Sequence, residues 1–421
     1  MRTRGFVKGL ALFVLMIATT VAHASVQFSD RELEEAIRDA LFIQSGTLYA
    51  YDLEWLTVLD ASNRGISDLS GIQQAPALAT IDISGNEIDD LSPLRPLEAL
   101  TILRASDNAI RSIQPLGSID RMKELVLDDN EISSIDALAS LEGLEILSAT
   151  GNPIDELAPL RSLERLTSLR ISCESGCDLT PIHALTRLET LYIDSSSALD
   201  LSAIGRMDSL LRIHLVDTDV NDFSPLRWLP NLREIRLAGV EIGSLVEIVD
   251  LQPDLEILSL EDMTIGSFGA LLELAALKEL HLIDVGFDVL GLLVDLPSLR
   301  SLDISNNGLT DVGLLSALSE LTELDVSGNE IEVLWPIARL RDLEVLDLSG
   351  NPVADLEPIL TLWELRELRV RGTEISDISE LLDLPDLEYV DLRDTKLNVA
   401  RGTSAYAAVA LLRGRGVIVD L

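Results

Sequence analysis

Residues 78–99, LATIDISGNEIDDLSPLRPLEA, form a unit that recurs along most of the chain. When its first apolar residue is taken as position one, further apolar residues stand at positions four, six, eleven, fourteen, seventeen and twenty. Sixteen such units begin at Leu56, Leu78, Leu100, Met122, Leu144, Leu166, Leu188, Leu210, Leu232, Leu255, Leu277, Leu299, Leu321, Leu343, Leu365 and Leu387. Every interval equals that from Leu78 to Leu100, except the interval from Leu232 to Leu255, which is one residue longer. A fixed period of this length is typical of a solenoid, in which stacked neighbours bury the apolar face that no unit buries alone.

Within each unit, positions three, five and seven alternate with the apolar positions four and six. This period of two predicts a short strand with one buried face, and strands of successive units are expected to pair in parallel. Position sixteen is proline in seven units, at Pro93, Pro115, Pro159, Pro181, Pro225, Pro336 and Pro358. Because proline has no backbone N–H, it predicts a convex return segment rather than a ladder strand.

The pattern LxxLxLxxNxI at this copy number resembles the 22-residue class of leucine-rich repeats. That class occurs in bacterial internalin-like surface proteins and in a eukaryotic regulatory subunit of protein phosphatase 1. The resemblance implies an α/β solenoid, a right-handed superhelix with a parallel β-sheet on its concave face. It also implies a helical N-terminal cap, and the residues at the other end predict a helix–strand C-terminal cap.

The chain divides into four segments. Residues 1–24 are typical of a secretory signal peptide, with a basic start, an apolar run and Ala22-His23-Ala24 before the cleavage point. Residues 25–55 are expected to form the N-terminal cap, 56–397 the array of 16 units, and 398–421 the C-terminal cap. Ser29 and Glu32 predict a capping box at the first helix, and Trp55 is expected in the core of the cap. The protein is therefore expected to be exported, secreted or periplasmic, and not inserted in the membrane after cleavage.

The formal net charge is −39, which excludes nucleic acid and anionic membrane as partners. Acidic outer turns also keep a leucine-rich array soluble, and a monomer is expected. The two cysteines, Cys173 and Cys177, favour a local disulfide over free thiols, and both over a metal site.

Position nine separates the units into blocks. Asparagine occupies it at Asn86, Asn108, Asn130, Asn152, Asn307, Asn329 and Asn351. An amide there can donate to and accept from neighbouring turns, which predicts a ladder. In the central units the position holds Glu174, Ser196, Thr218, Val240, Met263 and Val285. Val240, Met263 and Val285 cannot bond to the backbone, so the turns there must bond to water or to each other. The central units are thus the predicted place for a tailored binding surface.

Position five is the predicted centre of the concave sheet, and its central residues include basic and aromatic side chains. Arg170, Tyr192, His214 and Arg236 follow one another there, with Arg212 at position three and His281 farther along the column. Tyr and Arg are enriched at interface hot spots, so these six residues are the predicted binding site for a protein or an acidic glycan. The alternative is a solvated strand face whose arginines pair with acids such as Glu234 and Glu189. His214 and His281 could also make binding pH-sensitive.

The residues do not indicate an enzyme or a cofactor, since the chain has no G-x-S-x-G, H-E-x-x-H or Walker motif. Asp217, Asp219 and Asn221 resemble the start of a calcium loop, but Asp222 and Trp228 stand where such a loop needs glycine and glutamate. The sequence predicts no catalytic or metal residues. The main hypothesis is an exported binding module for a protein ligand. The alternative is a structural or adhesive envelope protein that associates through cations on its acidic surface.

Overall fold

A computed structural model describes residues 25–154, 156–173 and 178–421. The predicted signal peptide, residues 1–24, and Cys177 lie outside the described residues. Seventeen strands form one parallel, unclosed sheet in which each strand pairs with that of the next unit. These strands are β1 Val58–Asp60, β2 Thr80–Asp82, β3 Ile102–Arg104, β4 Glu124–Val126, β5 Ile146–Ala149, β6 Ser168–Ser172, β7 Thr190–Asp194, β9 Arg212–Val216, β11 Glu234–Ala238, β12 Ile257–Glu261, β13 Glu279–Ile283, β14 Ser301–Asp303, β15 Glu323–Asp325, β16 Val345–Asp347, β17 Glu367–Arg369, β18 Tyr389–Asp391 and β19 Ile418–Asp420. The predicted α/β solenoid with a parallel sheet is confirmed.

Short 3-10 helices form most of the return segments opposite the sheet. They span Ile72–Gln74, Ser92–Leu94, Gln114–Ser118, Asp136–Ser140, Ala158–Ser162, Thr180–Ala184, Leu201–Ile204, Ser224–Trp228, Gly269–Glu273, Leu290–Asp295, Gly313–Ala317, Ile337–Arg339, Glu357–Thr361 and Ser379–Asp383. Six of them carry a position-sixteen proline in their first two residues, where its missing N–H is not needed. The longer unit that begins at Leu232 differs, because its return contains an α-helical turn, α3 Val246–Val249, that takes up the extra residue.

One continuous apolar core runs through the array from Val26 to Val419. In the unit 78–99 all seven apolar positions are fully buried. The seven inward aliphatic residues of each coil therefore belong to one shared hydrophobic core, and each unit depends on its neighbours to bury them.

Position eight adopts a left-handed backbone in most units, a feature that the apolar repeat pattern does not indicate. Gly85 has φ +68° and Gly151 has φ +65°, while Asp, Asn or Gly fills the same position elsewhere. These are the residue types that tolerate φ > 0, so the turn after each strand is set by position eight as well as by position nine.

The asparagine ladder at position nine is confirmed, with one difference. In Asn108 the amide Nδ2 donates to Ile83 O, Ala105 O and Ser106 O, and Oδ1 accepts from Ile88 N. Each amide thus bonds to its own turn and to the preceding turn, rather than to the turns on both sides. It ties consecutive coils together in one direction along the chain.

The centre of the array replaces this ladder with backbone pairing. The six strands from β6 to β13 in the main sheet are five residues long, whereas those of the asparagine units are three or four. A second, two-stranded parallel sheet pairs β8 Ala198–Leu199 with β10 Asp219–Val220, and Ile242 bridges Ile265. Of the two predicted alternatives, bonding to water or to each other, the pairs β8–β10 and Ile242–Ile265 show the second. The central concave face is also wider than either end.

Helices lie at both ends of the described chain. Helix α1 spans Arg31–Leu41, the short α2 Ala50–Leu53, and α4 Ser404–Gly414 precedes β19. The predicted Ser29 cap is wrong, because Asp30 caps α1 by accepting from Glu32 N and Leu33 N. The expected core position of Trp55 is also wrong, since the side chain is 81% exposed.

The described residues include no helix that is both long and apolar enough to span a membrane. Cys173, 4% exposed at the end of β6, is disulfide-bonded. Its predicted partner Cys177 belongs to the part of the chain left undescribed.

Candidate functional site

The long central strands bring five of the six predicted site residues together. Parallel register places Arg170 beside Tyr192, Tyr192 beside His214, and His214 beside Arg236. Arg212, at position three of its repeat unit, is the first residue of β9 and lies next to Glu234 of β11. We call Arg170, Tyr192, Arg212, His214, Glu234 and Arg236 the central cluster.

Direct contacts run through the whole central cluster. The Arg170 guanidinium lies 4.2 Å from the centre of the Tyr192 ring, a cation–π distance. The Tyr192 and His214 rings meet edge to face, with centroids 6.3 Å apart. His214 Nε2 lies 2.8 Å from Glu234 Oε1. His214 therefore links the aromatic part of the cluster, Arg170 and Tyr192, to the ionic part around Glu234.

Glu234 is the centre of the ionic part. Its side chain is 8% exposed, and its Oε1 accepts from Arg236 Nε at 2.6 Å while Oε2 lies 3.3 Å from Arg212 Nε. The hydrogen bond from His214 and the bonds and charge of Arg236 lower the pKa of the Glu234 carboxyl to about 2, although burial acts in the opposite direction. One buried carboxylate therefore fixes three cationic or polar side chains on the concave surface.

Arg170 and Tyr192 are the part of the central cluster that is free to meet a ligand. Arg170 is exposed and makes no ion pair with any residue in the described ranges. The Arg212 and Arg236 side chains remain 48% and 38% exposed despite their bonds to Glu234. The cluster itself holds three guanidinium groups against one carboxylate, and the charges of Asp194, Asp217 and Asp128 also act on Tyr192.

His281 does not belong to the central cluster. Ser259 of β12 separates it from Arg236 in the same column. Its Nδ1 lies 3.9 Å from Asp303 Oδ2, and its buried Nε2 has no hydrogen-bond partner among the residues that the structure describes. The predicted grouping of His281 with the other five residues is therefore not seen.

Comparisons with known proteins agree with this architecture. A family model of two leucine-rich repeats matches residues 297–336. A leucine-rich repeat protein of Leptospira interrogans superposes with a TM-score of 0.61 at 24% identity, covering 88% of this chain and 97% of that one. The functional domain of InlJ from Listeria monocytogenes gives 0.55 at 19% identity, covering 88% and 82%.

The chain is a leucine-rich repeat protein with an internalin-like fold. Internalin C2 of Listeria monocytogenes is 30% identical over 52% of this chain and 100% of its own, with a TM-score of 0.49. A search of curated proteins gives no match.

The C-terminal half of this leucine-rich repeat sheet carries an acidic column that the sequence analysis did not single out. Asp303, Asp325 and Asp347 stand in register on adjacent strands, each accepting a hydrogen bond from the backbone N–H two residues ahead. Burial, followed by the charges of Asp303 and Asp347, raises the pKa of Asp325 to about 6, although bonds from Ser327 oppose this. The signal for this column was the aspartate that recurs at position five of successive units.

Asp325→Asn is expected to stabilise the protein above pH 6. A folded-state pKa of about 6 against 3.8 means that ionisation of this carboxyl costs the fold about 3 kcal/mol, a cost that is absent below pH 3.8, grows between pH 3.8 and 6 and is constant above pH 6. The asparagine keeps an oxygen to accept from Ser327 N. Urea unfolding from pH 4 to 8 should show the gain of the variant rising with pH.

Asp82→Asn is the matched control, because Asp82 accepts from Ser84 N in the same way but has Arg104 in register on one side. It should change the free energy of unfolding by less than about 0.5 kcal/mol at any pH. An equal effect of both substitutions would show that the stacked charges do not matter.

Proposed function

We propose that this protein binds a protein partner along its concave sheet, with the central cluster as the main contact. Leucine-rich repeat folds generally bind proteins on a preformed scaffold, without catalysis. The observation that supports this site is the pair of exposed Arg170 and half-buried Tyr192 beside Arg212 and Arg236 on the longest strands of the sheet. Arg and Tyr are the residue types that carry most binding energy at interfaces.

The partner segment is expected to be acidic. The chain has a net charge of −39, but the guanidinium groups of Arg170, Arg212 and Arg236 all reach solvent in the central cluster. Their positive charge attracts carboxylates of a partner. Glu234 holds Arg212 and Arg236 in place before binding, which lowers the ordering cost on association. We also propose that residues 1–24 direct export and that the partner is met outside the cytoplasm.

The cation-dependent envelope hypothesis has less support. In residues 25–154, 156–173 and 178–421 there is no group of three or more His, Cys, Asp or Glu side chains placed to hold a metal ion. No specific contact therefore favours that alternative over concave binding.

Replacing Tyr192 and Arg236 together by alanine should abolish capture of the partner. Immobilised wild-type and Tyr192→Ala/Arg236→Ala proteins are incubated with extracts, and bound proteins are quantified by mass spectrometry. Two hot-spot truncations of about 1–2 kcal/mol each predict at least a tenfold loss of the specific partner.

The double variant Asp82→Ala/Arg104→Ala is the control, since both residues occupy position five on the N-terminal strands of the same sheet. It should capture the partner as the wild type does. Equal capture by all three proteins would remove the central cluster as the site, and retention of an acidic polysaccharide instead of a protein would change the class of ligand.

A further inference from the structure

The convex side carries an open groove behind the central units that is distinct from the concave site. It encloses about 640 Å³ and is lined by side chains of three successive returns, among them His183, Ala203, Gly205, Arg206, Asp222 and Trp228. This volume lies within the range of small-ligand sites, roughly 300–1,000 Å³.

The groove exists because the middle return has small residues where its neighbours are bulky. At position sixteen Ala203 stands between Pro181 and Pro225, and at position eighteen Gly205 stands between His183 and Arg227. A Cβ added at Gly205 would meet Pro225 at 3.5 Å, an ordinary van der Waals distance, so there is room for one methyl group at the floor of the groove. The hollow above the floor is left by the missing side chains.

Trp228 supplies an apolar wall at the groove. The residue is 65% exposed, as the other tryptophans also largely are, but Trp228 is the tryptophan that lines this groove. The wall offers a flat, rigid face, with Pro225 beside it in the lining. Such a face suits a ligand that has one apolar surface of similar size.

The remaining lining groups provide both acceptors and donors. His183 Nδ1 lies 3.0 Å from the Thr180 carbonyl oxygen, which can only accept, so Nδ1 carries a proton, and in the tautomer protonated at Nδ1 alone Nε2 is an acceptor. Asp222 accepts from Ser224 and keeps acceptor capacity, while Arg206 is an exposed donor. The polar groups are therefore mixed in type rather than of one charge.

We propose that this groove binds a neutral oligosaccharide, with one sugar ring stacked on Trp228. A pyranose ring has an apolar C–H face and a rim of hydroxyl groups, each of which both donates and accepts hydrogen bonds. An aromatic wall beside the acceptors of His183 and Asp222 and the donors of Arg206 matches both features. This inference is independent of the concave site.

Tryptophan fluorescence tests the proposal directly. Trp55, Trp335 and Trp363 are all more than half exposed, so replacing them with phenylalanine leaves Trp228 as the single reporter without disturbing the core. This protein is titrated separately with cellotriose, maltotriose and chitotriose. At least one is expected to change the emission of Trp228 saturably, with a Kd of roughly 10 μM to 1 mM.

Filling the groove should weaken that binding at least tenfold. Ala203→Leu places a leucine at position sixteen, where Leu292 and Leu314 occur naturally in other units, and so should fold normally. Gly205→Ala is a smaller second variant, since its φ of −62° accepts any residue and the new Cβ makes only ordinary contact. It should weaken binding less than Ala203→Leu.

The absence of a saturable change with all three sugars would overturn the proposal. So would binding that stays unchanged in a folded Ala203→Leu protein, as shown by an unaltered melting temperature. A change in emission that grows linearly with sugar concentration would indicate a solvent effect and would equally contradict a built site.

Discussion

Asn329→Val is expected to lower the free energy of unfolding by about 3–5 kcal/mol, the largest effect of any single change at position nine. Asn329 is 4% exposed and makes five hydrogen bonds. Its Oδ1 accepts from Asn307 N and Leu309 N, and its Nδ2 donates to Ile304 O, Val326 O and Ser327 O. Valine would leave several buried backbone groups without partners.

Valine is the native residue at position nine of one central unit, where Val240 is 1% exposed. It is tolerated there because strand β11 is five residues long and Ile242 bridges Ile265, so backbone pairing takes the place of the amide. The units around Asn329 have three-residue strands and no second sheet, so they have no such substitute. The cost of the change therefore depends on the unit and not on the residue alone.

Thr373→Val is the control at position nine, since Thr373 is equally buried but its Oγ1 makes a single bond, to Val370 O at 2.7 Å. It should cost about 1 kcal/mol. Both variants are compared by urea unfolding followed by circular dichroism and by amide exchange at residues 304–331. Equal costs for the two substitutions would contradict the role of the asparagine ladder.

Glu234→Gln is expected to cost about 2–3 kcal/mol at pH 7, with the loss vanishing in acid. The pKa of Glu234 is about 2 in the folded protein against 4.5 for an ordinary glutamate, so its ionisation stabilises the fold above pH 4.5. That contribution disappears as the pH falls from 4.5 towards 2. The difference between wild type and variant should therefore be constant from pH 8 to 5 and shrink below pH 4.5.

Glu145→Gln is the matched control. Glu145 also forms an ion pair between neighbouring units, with Lys123 Nζ at 2.8 Å just before strands β4 and β5, but its side chain is 44% exposed. Solvent screening limits such a pair to less than about 1 kcal/mol. If the two glutamates respond alike to substitution and to pH, then burial of Glu234 does not organise the central cluster.

Most of the fold could be predicted because the repeat is visible in each unit. Residues such as Leu78, Ile81 and Ile83 show both the repeat period and the strand alternation, and the stacking follows from them. Position nine also indicated that the units around Val240 must differ. The longer strands and the second sheet that replace the amide ladder could not be predicted, since backbone pairing leaves no mark on side-chain identity.

The site could be predicted only in part. The column Arg170–Tyr192–His214–Arg236 follows directly from the register of the repeat, and Glu234 was recognised as a possible partner of its arginines. Its role as a shared, buried counter-ion depends on side-chain geometry, which the sequence does not contain. The exposure of Trp55 and the groove at Ala203 likewise depend on how neighbouring returns pack.

Site-specific photo-crosslinking tests the central claim, that the middle of the concave sheet meets the partner. A benzoylphenylalanine is placed at Tyr192, at Asp347 on the acidic part of the same sheet, or at Arg227 on the convex side, and each protein is irradiated with the captured partner. We predict a covalent adduct from position 192 and little or none from 347 and 227. Adducts that form from 227 or 347 but not from 192 would contradict the account.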